Sequence, residues 1–243
     1  RLSAALENRV LLLEAGGRDR HPLIRMPFAF MKLQFMPSLT WPYWSEPEPG
    51  LDGRRLWLPR GKVLGGTSSI NGMVYARGHP ADYDEWSALG ATGWSWDEVL
   101  PYFRRSERSW RGDSADHGVE GPLTVSPVET TGPLHDAVMQ TARALGHPIF
   151  DDQHGPNSGH GFAPPEVTVD KGRRASSSRQ FLHPVAHRPN LAIRTGCTVT
   201  RIVIEAGRAV GVEIMYKGRP TLLRARREVI LCAGTYNSPQ LLM

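Results

Sequence analysis

The sequence predicts an α/β fold built on a doubly wound parallel sheet, and three stretches of the chain support this prediction. Residues 9–17 (Arg-Val-Leu-Leu-Leu-Glu-Ala-Gly-Gly) form a short apolar run that ends in an acidic residue and a glycine turn. Continuous apolar strands of this kind are typical of parallel sheets whose two faces are both covered. A glycine-rich loop at 61–72 and a strand-rich last third, which returns to the apolar run 228–232, fit the same class.

The last third of the chain predicts a series of strands followed by a helix. Five segments with strand character are separated by turn residues: 191–195, 199–205, 209–216, 221–225 and 228–232. The last of them is expected to be a core strand in which Cys232 is a buried free thiol. Ser238 is a good N-cap and Pro239 a good first helical residue, so we expect a helix to begin at Pro239.

Two further helices are predicted in the middle of the chain. Ser95-Trp-Asp-Glu98 is a capping box that opens a short helix, which Pro101 should kink. Apolar residues at helical spacing over 134–145, closed by Gly146, predict the second helix. Residues 18–60 are rich in Pro, Met and aromatic side chains, and we expect a long ordered loop there.

The composition excludes several functional classes. The chain has 243 residues, enough for one large domain or two small ones, and a modest net charge of +5. Its densest basic stretches, 171–174 and 224–227, carry no interleaved aromatic residues, so we interpret them as solvated faces rather than a nucleic-acid surface. Two cysteines far apart predict neither a metal site nor a disulfide framework. No signal-peptide pattern or long apolar run occurs, which favours a cytoplasmic location.

Glu14 is the first candidate for cofactor binding. In dinucleotide-binding folds an acidic residue ends the second strand and binds the ribose hydroxyls, about 20 residues after a glycine fingerprint. No GxGxxG motif occurs in the chain, and counting back from Glu14 by that distance passes its first residue. Either Glu14 is an ordinary carboxylate at the end of a strand, or the fingerprint lies in sequence that precedes Arg1.

The glycine-rich loop is the second candidate. It combines uncovered backbone amides with short polar side chains, a set suited to a phosphate or an electron-rich ring: Gly65, Gly66, Thr67, Ser68, Ser69, Asn71 and Gly72. It is not a Walker loop, because Lys62 follows the first glycine rather than the last. A tight turn would explain one glycine pair but not this density of small polar residues. Residues 231–239, which pass through Gly234, are either a second close approach to a cofactor or a plain strand-to-helix turn.

The histidines predict no metal site and no catalytic base. Acidic and histidine side chains share a loop rich in Gly, Pro and Asn: Asp151, Asp152, His154 and His160. Their spacing matches no ligand pattern, so no metal is expected. No other histidine stands in a sequence context that identifies it as a general base.

Together these segments resemble the glucose–methanol–choline (GMC) oxidoreductases, and within them the choline dehydrogenase-like and alcohol dehydrogenase-like members. Residues 10–16 are similar to the family's second strand, and residues 60–86 to its first signature. Residues 233–243 are similar to the opening of its second signature. The resemblance therefore covers nearly the whole chain.

The resemblance implies a doubly wound, Rossmann-like FAD-binding domain and part of an α+β substrate domain. Residues 1–120 would be the first part of the FAD-binding domain, 121–187 a partial substrate domain and 188–243 the return segment of the FAD-binding domain. It also implies that both termini of the family are missing. The glycine motif would precede Arg1, and the catalytic histidine and its His/Asn partner would follow Met243, so no catalytic residue is expected in this chain.

The resemblance also implies the cofactor site. Glu14 would hold the adenosine ribose, Val199 would meet the adenine through its backbone, and residues 71–74 would line the flavin and pyrophosphate. The full implied set is Glu14, Ala15, Arg60, Val63, Gly65, Gly66, Asn71, Gly72, Met73, Val74, Val199, Ala233 and Gly234. Some members attach FAD covalently through a histidine just before the signature asparagine. Here that position is Ile70, so we predict non-covalent FAD.

The implied reaction is the oxidation of a primary alcohol to an aldehyde, with hydride transfer to flavin N5. The expected partners are a small-molecule alcohol and an electron acceptor, either oxygen or a quinone. Residues 26–36 are interpreted as a lid over the flavin, with peripheral contact to the inner membrane as the alternative. Two other hypotheses stay open: a nicotinamide-dependent dehydrogenase, which would leave the loop at 61–72 unexplained, and a non-catalytic remnant of a flavoprotein.

Overall fold

A computed structural model describes residues 1–155 and 159–243 of the protein. They divide into two compact units: the first comprises Arg1–Ile24, Phe28–Asn71 and Ser177–Met243, and the second comprises Arg25–Pro27 and Gly72–Ser176. The strands in chain order are β1 (Val10–Leu13), β2 (Thr40–Trp41), β3 (Arg60–Gly61), β4 (Val74–Tyr75), β5 (Glu107–Ser109), β6 (Leu123–Pro127), β7 (Glu166–Val167), β8 (Val169–Asp170), β9 (Arg173–Arg174), β10 (Leu191–Arg194), β11 (Cys197–Glu205), β12 (Arg208–Tyr216) and β13 (Arg219–Arg224). The α-helices are α1 (Pro22–Arg25), α2 (Phe30–Leu33), α3 (Pro80–Ala88), α4 (Trp96–Ser106), α5 (Pro133–Ala144) and α6 (Asn237–Leu242).

A parallel pair of strands lies in the first unit. β1 and β10 run side by side, with Val10 opposite Leu191 and Leu13 opposite Arg194. Parallel neighbours cannot be joined by a tight turn and need a crossover connection. The pairing of two strands so far apart in the sequence agrees with the predicted parallel sheet.

The first unit also contains a three-stranded antiparallel sheet in the order β11–β12–β13. Each hairpin has a two-residue turn, Ala206-Gly207 and Lys217-Gly218, and all four residues have positive φ. This is the type I′ geometry, whose twist matches that of the flanking strands. The strands predicted at 191–195, 199–205, 209–216 and 221–225 are therefore confirmed to within a few residues.

The core of the first unit is built from the segment predicted as a long loop. Short helices and the β2–β3 pair interrupt this segment, and Leu33 at the end of α2 is fully buried. One apolar cluster gathers its buried side chains with two from the glycine-rich loop: Ile24, Leu33, Leu39, Val63 and Ile70. Two side chains of the glycine-rich loop are thus packed in the apolar core of this unit.

The second unit contains a four-stranded sheet in the order β4–β7–β6–β5 and the helices α3, α4 and α5. The predicted capping box opens α4, with the Ser95 amide 3.1 Å from Glu98 Oε2. The helix continues past Pro101 to Ser106. α5 also confirms its prediction, and Gly146 follows it with a φ of 76°.

Three sequence-based predictions of local structure are wrong. Residues 228–232 form no strand and Cys232 is exposed, because in the described residues no strand lies beside them to pair with their backbone. α6 begins at Asn237 rather than Pro239, since the Ser238 amide already donates to Gly234 O at 3.0 Å. Arg174 is buried rather than solvated, because side chains alternate between the two faces of β9.

Burial lowers the pKa of Arg174 to about 10. Among the described residues, no helix is long and apolar enough to cross a bilayer.

Candidate cofactor-binding site

Glu14 lies at the end of β1, where the chain turns through two glycines. Its Oε1 accepts a hydrogen bond from the Gly16 amide at 2.7 Å. Burial raises the pKa of Glu14, and the Gly16 amide, the Lys62 charge and the Ala15 amide offset this only in part. An ionised carboxylate has about four acceptor sites, more than these two amides fill. The turn therefore presents a partly desolvated carboxylate that can accept further hydrogen bonds from a ligand.

The glycine turn packs directly on the start of the glycine-rich loop. The Leu64 amide donates to Gly17 O at 2.9 Å, and Val63 beside it is fully buried. A Cβ placed on Gly16 would lie 1.8 Å from Lys62 O, far inside contact distance. The two backbones can approach this closely only because residue 16 has no side chain.

The beginning of β11 attaches to the other side of the same turn. The Gly196 amide donates to Gly16 O at 2.9 Å, and the Cys197 amide donates to Glu14 O at 3.0 Å. Val199 follows on β11, partly buried and paired with Ile214. Three segments that are distant in the sequence thus meet around Glu14.

The hydroxyl groups of the glycine-rich loop hold the loop itself together. Ser68 Oγ donates to Gly65 O at 2.6 Å, and Ser69 Oγ donates to Leu64 O at 2.8 Å. A serine hydroxyl has one proton, so these two use theirs within the loop, and their interpretation as donors to a ligand is wrong. Thr67 Oγ1 likewise accepts from the Gly61 amide at 3.0 Å.

The segment around Gly234 contacts Arg60, another residue of the predicted set. The Arg60 guanidinium lies 4.1 Å from the centre of the Tyr236 ring. Asn237 Nδ2 donates to Tyr43 Oη at 2.8 Å. Gly234, preceded by Ala233, has a φ of 93°. The turn that leads into α6 thus contacts Arg60, which directly precedes the glycine-rich loop, and Tyr43.

The predicted residues are divided between the two units. Asn71 ends the loop in the first unit, and its amide donates to Thr67 O at 2.8 Å. Gly72, Met73 and Val74 belong to the second unit, where Val74 opens β4 and is largely exposed. Met73 is buried with a φ of 62°, and residues other than glycine rarely hold such a backbone except where the surrounding structure enforces it.

Comparison with known proteins decides the family. The family model described as GMC oxidoreductase matches residues 10–243. The chain belongs to the GMC oxidoreductase family. The oxygen-dependent choline dehydrogenase of Sinorhizobium medicae (strain WSM419) is 46% identical over 243 residues, which are 100% of this chain and 44% of that protein.

Solved structures show the same relationship. Pyridoxine 4-oxidase from Mesorbium loti superposes with a TM-score of 0.92 at 34% identity, covering 99% of this chain and 47% of that one. An FAD-dependent oxidoreductase from Chaetomium thermophilum superposes with a TM-score of 0.88 at 32% identity, covering 99% and 44%. This GMC chain spans less than half the length of these proteins. Both the family resemblance and the α/β class predicted from the sequence are confirmed.

Two serines that the sequence motifs did not single out lie against the glycine-rich loop of this GMC chain. Ser177 Oγ donates to Gly65 O at 3.2 Å, and the Ser177 amide donates to Ser68 Oγ at 2.9 Å. Ser178 is buried, and its Cβ would lie 3.1 Å from a Cβ on Gly65. The run of three serines at 176–178 was the available signal.

The second unit contains a buried ionic network that no sequence pattern predicted. His117 lies between two carboxylates, with Nδ1 2.7 Å from Glu107 Oε1 and Nε2 2.8 Å from Asp152 Oδ2. Arg77 forms a buried ion pair with the same Glu107 carboxylate. The loop of acidic and histidine residues thus contributes Asp152 to an ion-pair network. In the parts of the chain that the structure describes, no three His, Cys, Asp or Glu side chains are placed to hold a metal.

Arg111 connects this network to a second buried carboxylate. Its Nε lies 2.7 Å from Glu166 Oε1, which also accepts from Trp110 Nε1 at 2.7 Å. Burial by itself raises the pKa of Glu166, but the His154 ring, whose Nδ1 lies 3.5 Å from Oε2, and the hydrogen bonds from Arg111 and Trp110 outweigh it and lower the pKa to about 2. Glu166 is therefore ionised throughout the physiological pH range.

Proposed function

We propose that the protein is an FAD-dependent oxidoreductase that acts on the CH–OH group of donors and oxidises a primary alcohol to an aldehyde. This chain contributes the greater part of the FAD site. The observation that carries the proposal is the meeting of three distant segments, 14–17, 62–66 and 196–199, around one carboxylate at the end of a parallel strand. Family membership favours FAD over the nicotinamide hypothesis, which leaves the glycine-rich loop without a role.

The residues around Glu14 fit an adenine dinucleotide. The Glu14 carboxylate has acceptor sites left for ribose hydroxyls, and hydrogen bonds to a partly buried carboxylate are strong. An ideal Cβ on Gly17 or on Gly66 would meet nothing within 4 Å, so the backbone is uncovered on those sides. An uncovered glycine backbone allows close approach of a phosphate group.

The cofactor and the chain would have separate tasks in this site. When bound, FAD would supply the redox chemistry by accepting a hydride from the alcohol carbon. The chain's own residues would bind and orient it: Glu14 would take the ribose, the backbone of the glycine-rich loop would hold the pyrophosphate and flavin, and Val199 would offer its backbone to the adenine.

The FAD is proposed to be non-covalent. Ile70 occupies the position from which some family members attach the flavin. Its side chain is 1% exposed and packs in the apolar core with Val63 and Leu39. A saturated hydrocarbon side chain provides no nucleophile for attachment.

Oxygen is the first electron acceptor to test, and a quinone is the alternative. One relative is named an oxygen-dependent choline dehydrogenase, and one structural neighbour is named a pyridoxine 4-oxidase. Choline and pyridoxine are therefore the first alcohols to test.

The division of residues 1–120, 121–187 and 188–243 between FAD and substrate domains stays a prediction, as do the cytoplasmic location and the contact with the inner membrane.

The deciding measurement is the visible absorbance spectrum of the purified full-length protein before and after heat denaturation. Flavin bands that move into the supernatant on denaturation would support a non-covalent FAD enzyme, and an alcohol screen with oxygen consumption as the readout would follow. Flavin that stays with the precipitate would overturn the non-covalent assignment. A colourless protein that takes up no added FAD would overturn the proposed function.

A further inference from the structure

We propose that Ser177 is a positioning residue that fixes the glycine-rich loop in the shape in which it binds FAD. This inference rests on the proposed function. Ser177 lies outside both signature segments of the sequence and more than a hundred residues beyond the loop. It acts through the loop backbone, without contacting the cofactor itself.

The geometry is a closed set of hydrogen bonds between Ser177 and the loop. The Ser177 amide donates to Ser68 Oγ at 2.9 Å, and the two hydroxyl oxygens are 3.0 Å apart. Both hydroxyls also approach one carbonyl, Gly65 O, at 2.6 Å from Ser68 and 3.2 Å from Ser177. Ser177 thus holds both the carbonyl and the side chain that define this turn of the loop.

The loop needs such an external restraint. Gly65 and Gly66 have φ values of 89° and 54°, two successive left-handed residues. Glycine has more conformations to lose than any other residue, so ordering two of them is costly in entropy. Hydrogen bonds from a separate segment reduce the number of conformations open to the loop before the cofactor binds. Binding then costs less entropy, which is the general basis of preorganisation.

The backbone that carries Ser177 is itself unusual. A π-helical turn, Ser178–Leu182, begins directly after it. Such turns are rare and occur frequently at functional sites. The turn brings Ser178 against Gly65, where a Cβ on the glycine would lie 3.2 Å from the Ser178 amide nitrogen and 2.4 Å from Ser69 Oγ. Packing by Ser178 and hydrogen bonding by Ser177 therefore act on the same glycine.

The test uses the full-length protein stripped of flavin and titrated with FAD. The dissociation constant is followed by the quenching of flavin fluorescence, and the environment of the bound flavin by visible circular dichroism. Ser177→Ala should raise the dissociation constant roughly tenfold, since it removes a hydroxyl bonded to the loop. Ser177→Thr keeps the hydroxyl and should restore the affinity and the dichroism spectrum of the unmodified protein.

A matched control separates positioning from general stability. Ser45 is a partly exposed serine whose hydroxyl both donates, to Glu46 O at 2.6 Å, and accepts, from the Leu56 amide at 2.9 Å. Ser45→Ala should leave FAD affinity unchanged. The thermal midpoint of the flavin-free protein should be similar in the Ser45 and Ser177 variants.

Ser68→Ala removes the loop hydroxyl that contacts both the amide and the hydroxyl of Ser177, and it provides the test if Ser177→Ala does not fold. The double variant should weaken binding by less than the product of the two single effects, because both remove one set of bonds. Equal FAD affinity in Ser177→Ala and the unmodified protein would overturn the inference while leaving the proposed function standing. An unmodified protein that binds no FAD would overturn the proposed function, and the inference with it.

Discussion

At the scale of single residues, Glu14 is expected to have opposite effects on stability and on cofactor binding. Burial raises its pKa, so its charged form opposes folding above pH 4.5. Glu14→Gln should therefore leave the flavin-free protein at least as stable at pH 7. The same change should weaken FAD binding roughly 10- to 100-fold, since hydrogen bonds to a charged acceptor contribute about 1.5–3 kcal/mol.

Thermal unfolding of the flavin-free protein and an FAD titration measure these two effects. Glu7→Gln, at an exposed carboxylate that precedes β1, is the control and should change neither. A Glu14→Gln protein that loses stability but binds FAD normally would show that the carboxylate has only a structural role.

Sequence patterns identified individual residues only where the backbone has a special task. Glu14 was recognisable because it ends an apolar strand before two glycines. The burial of Arg174 and the exposure of Cys232 were not recognisable, because each depends on which segment packs against it. His117 gave no signal for the same reason, since its partners Glu107 and Asp152 come from separate segments.

At the scale of elements, the contact between the glycine turn and the glycine-rich loop tolerates no side chain at one position. Gly16→Ala would place a Cβ 1.8 Å from Lys62 O and 2.5 Å from the Val63 nitrogen, both backbone atoms that cannot rotate away. We expect a loss of about 3 kcal/mol or more, at the upper end of overpacking effects, and loss of FAD binding.

Gly17→Ala is the matched control, because a Cβ there meets nothing within 4 Å and the residue needs no positive φ. Its flavin-free protein should unfold at the same denaturant concentration as the unmodified protein. If the two variants were equally stable, the turn and the loop would not be in the close contact described here.

Elements defined by local patterns were predictable, and elements defined by distant partners were not. The alternation and glycine turns of β11–β13 and the capping box of α4 depend on neighbouring residues, and their predictions are confirmed. Residues 228–232 have an equally good strand composition, but a strand also needs a partner for its backbone. The π-helical turn at Ser178–Leu182 has no recognised sequence pattern, so its packing on the glycine-rich loop became visible only in the structure.

At the scale of the whole molecule, the two units differ in the interactions that stabilise each of them. The first has an apolar cluster centred on Leu33 and Val63. The second has buried charged groups, among them Glu107 and Glu166, neither of which is more than 1% exposed. The charges in the second unit should make its free energy of unfolding decrease both at low pH and at high pH.

The loss of stability at low pH, which we call the acid limb of the pH–stability curve, comes from the carboxylates. Hydrogen bonds lower the pKa of Glu166 from its ordinary value of 4.5 to about 2, against the effect of burial. A lowered pKa means that the unfolded chain binds the proton more tightly, so this stability is present above pH 4.5 and is lost as the pH falls towards 2. Urea midpoints for the loss of secondary structure should therefore decrease steeply below pH 4.5.

The loss of stability as the pH rises, which we call the alkaline limb of the same curve, comes from His117. The hydrogen bond to Glu107 raises its pKa above 6.5, burial opposes this, and the bond to Asp152 adds to it. Stability from the protonated ring is therefore complete below pH 6.5 and is lost as the pH rises through the folded-state pKa. His117→Gln should cost about 2 kcal/mol at pH 6, because Glu107 loses a hydrogen bond from a charged ring while it keeps its ion pair with Arg77. It should also flatten the decline in stability above pH 6.5 while keeping the acid limb.

His135→Gln is the control for this variant. It changes a more exposed histidine, 3.3 Å from Asp136 in the same unit, and should change neither limb. An unchanged alkaline limb in His117→Gln would mean that the pH dependence arises elsewhere.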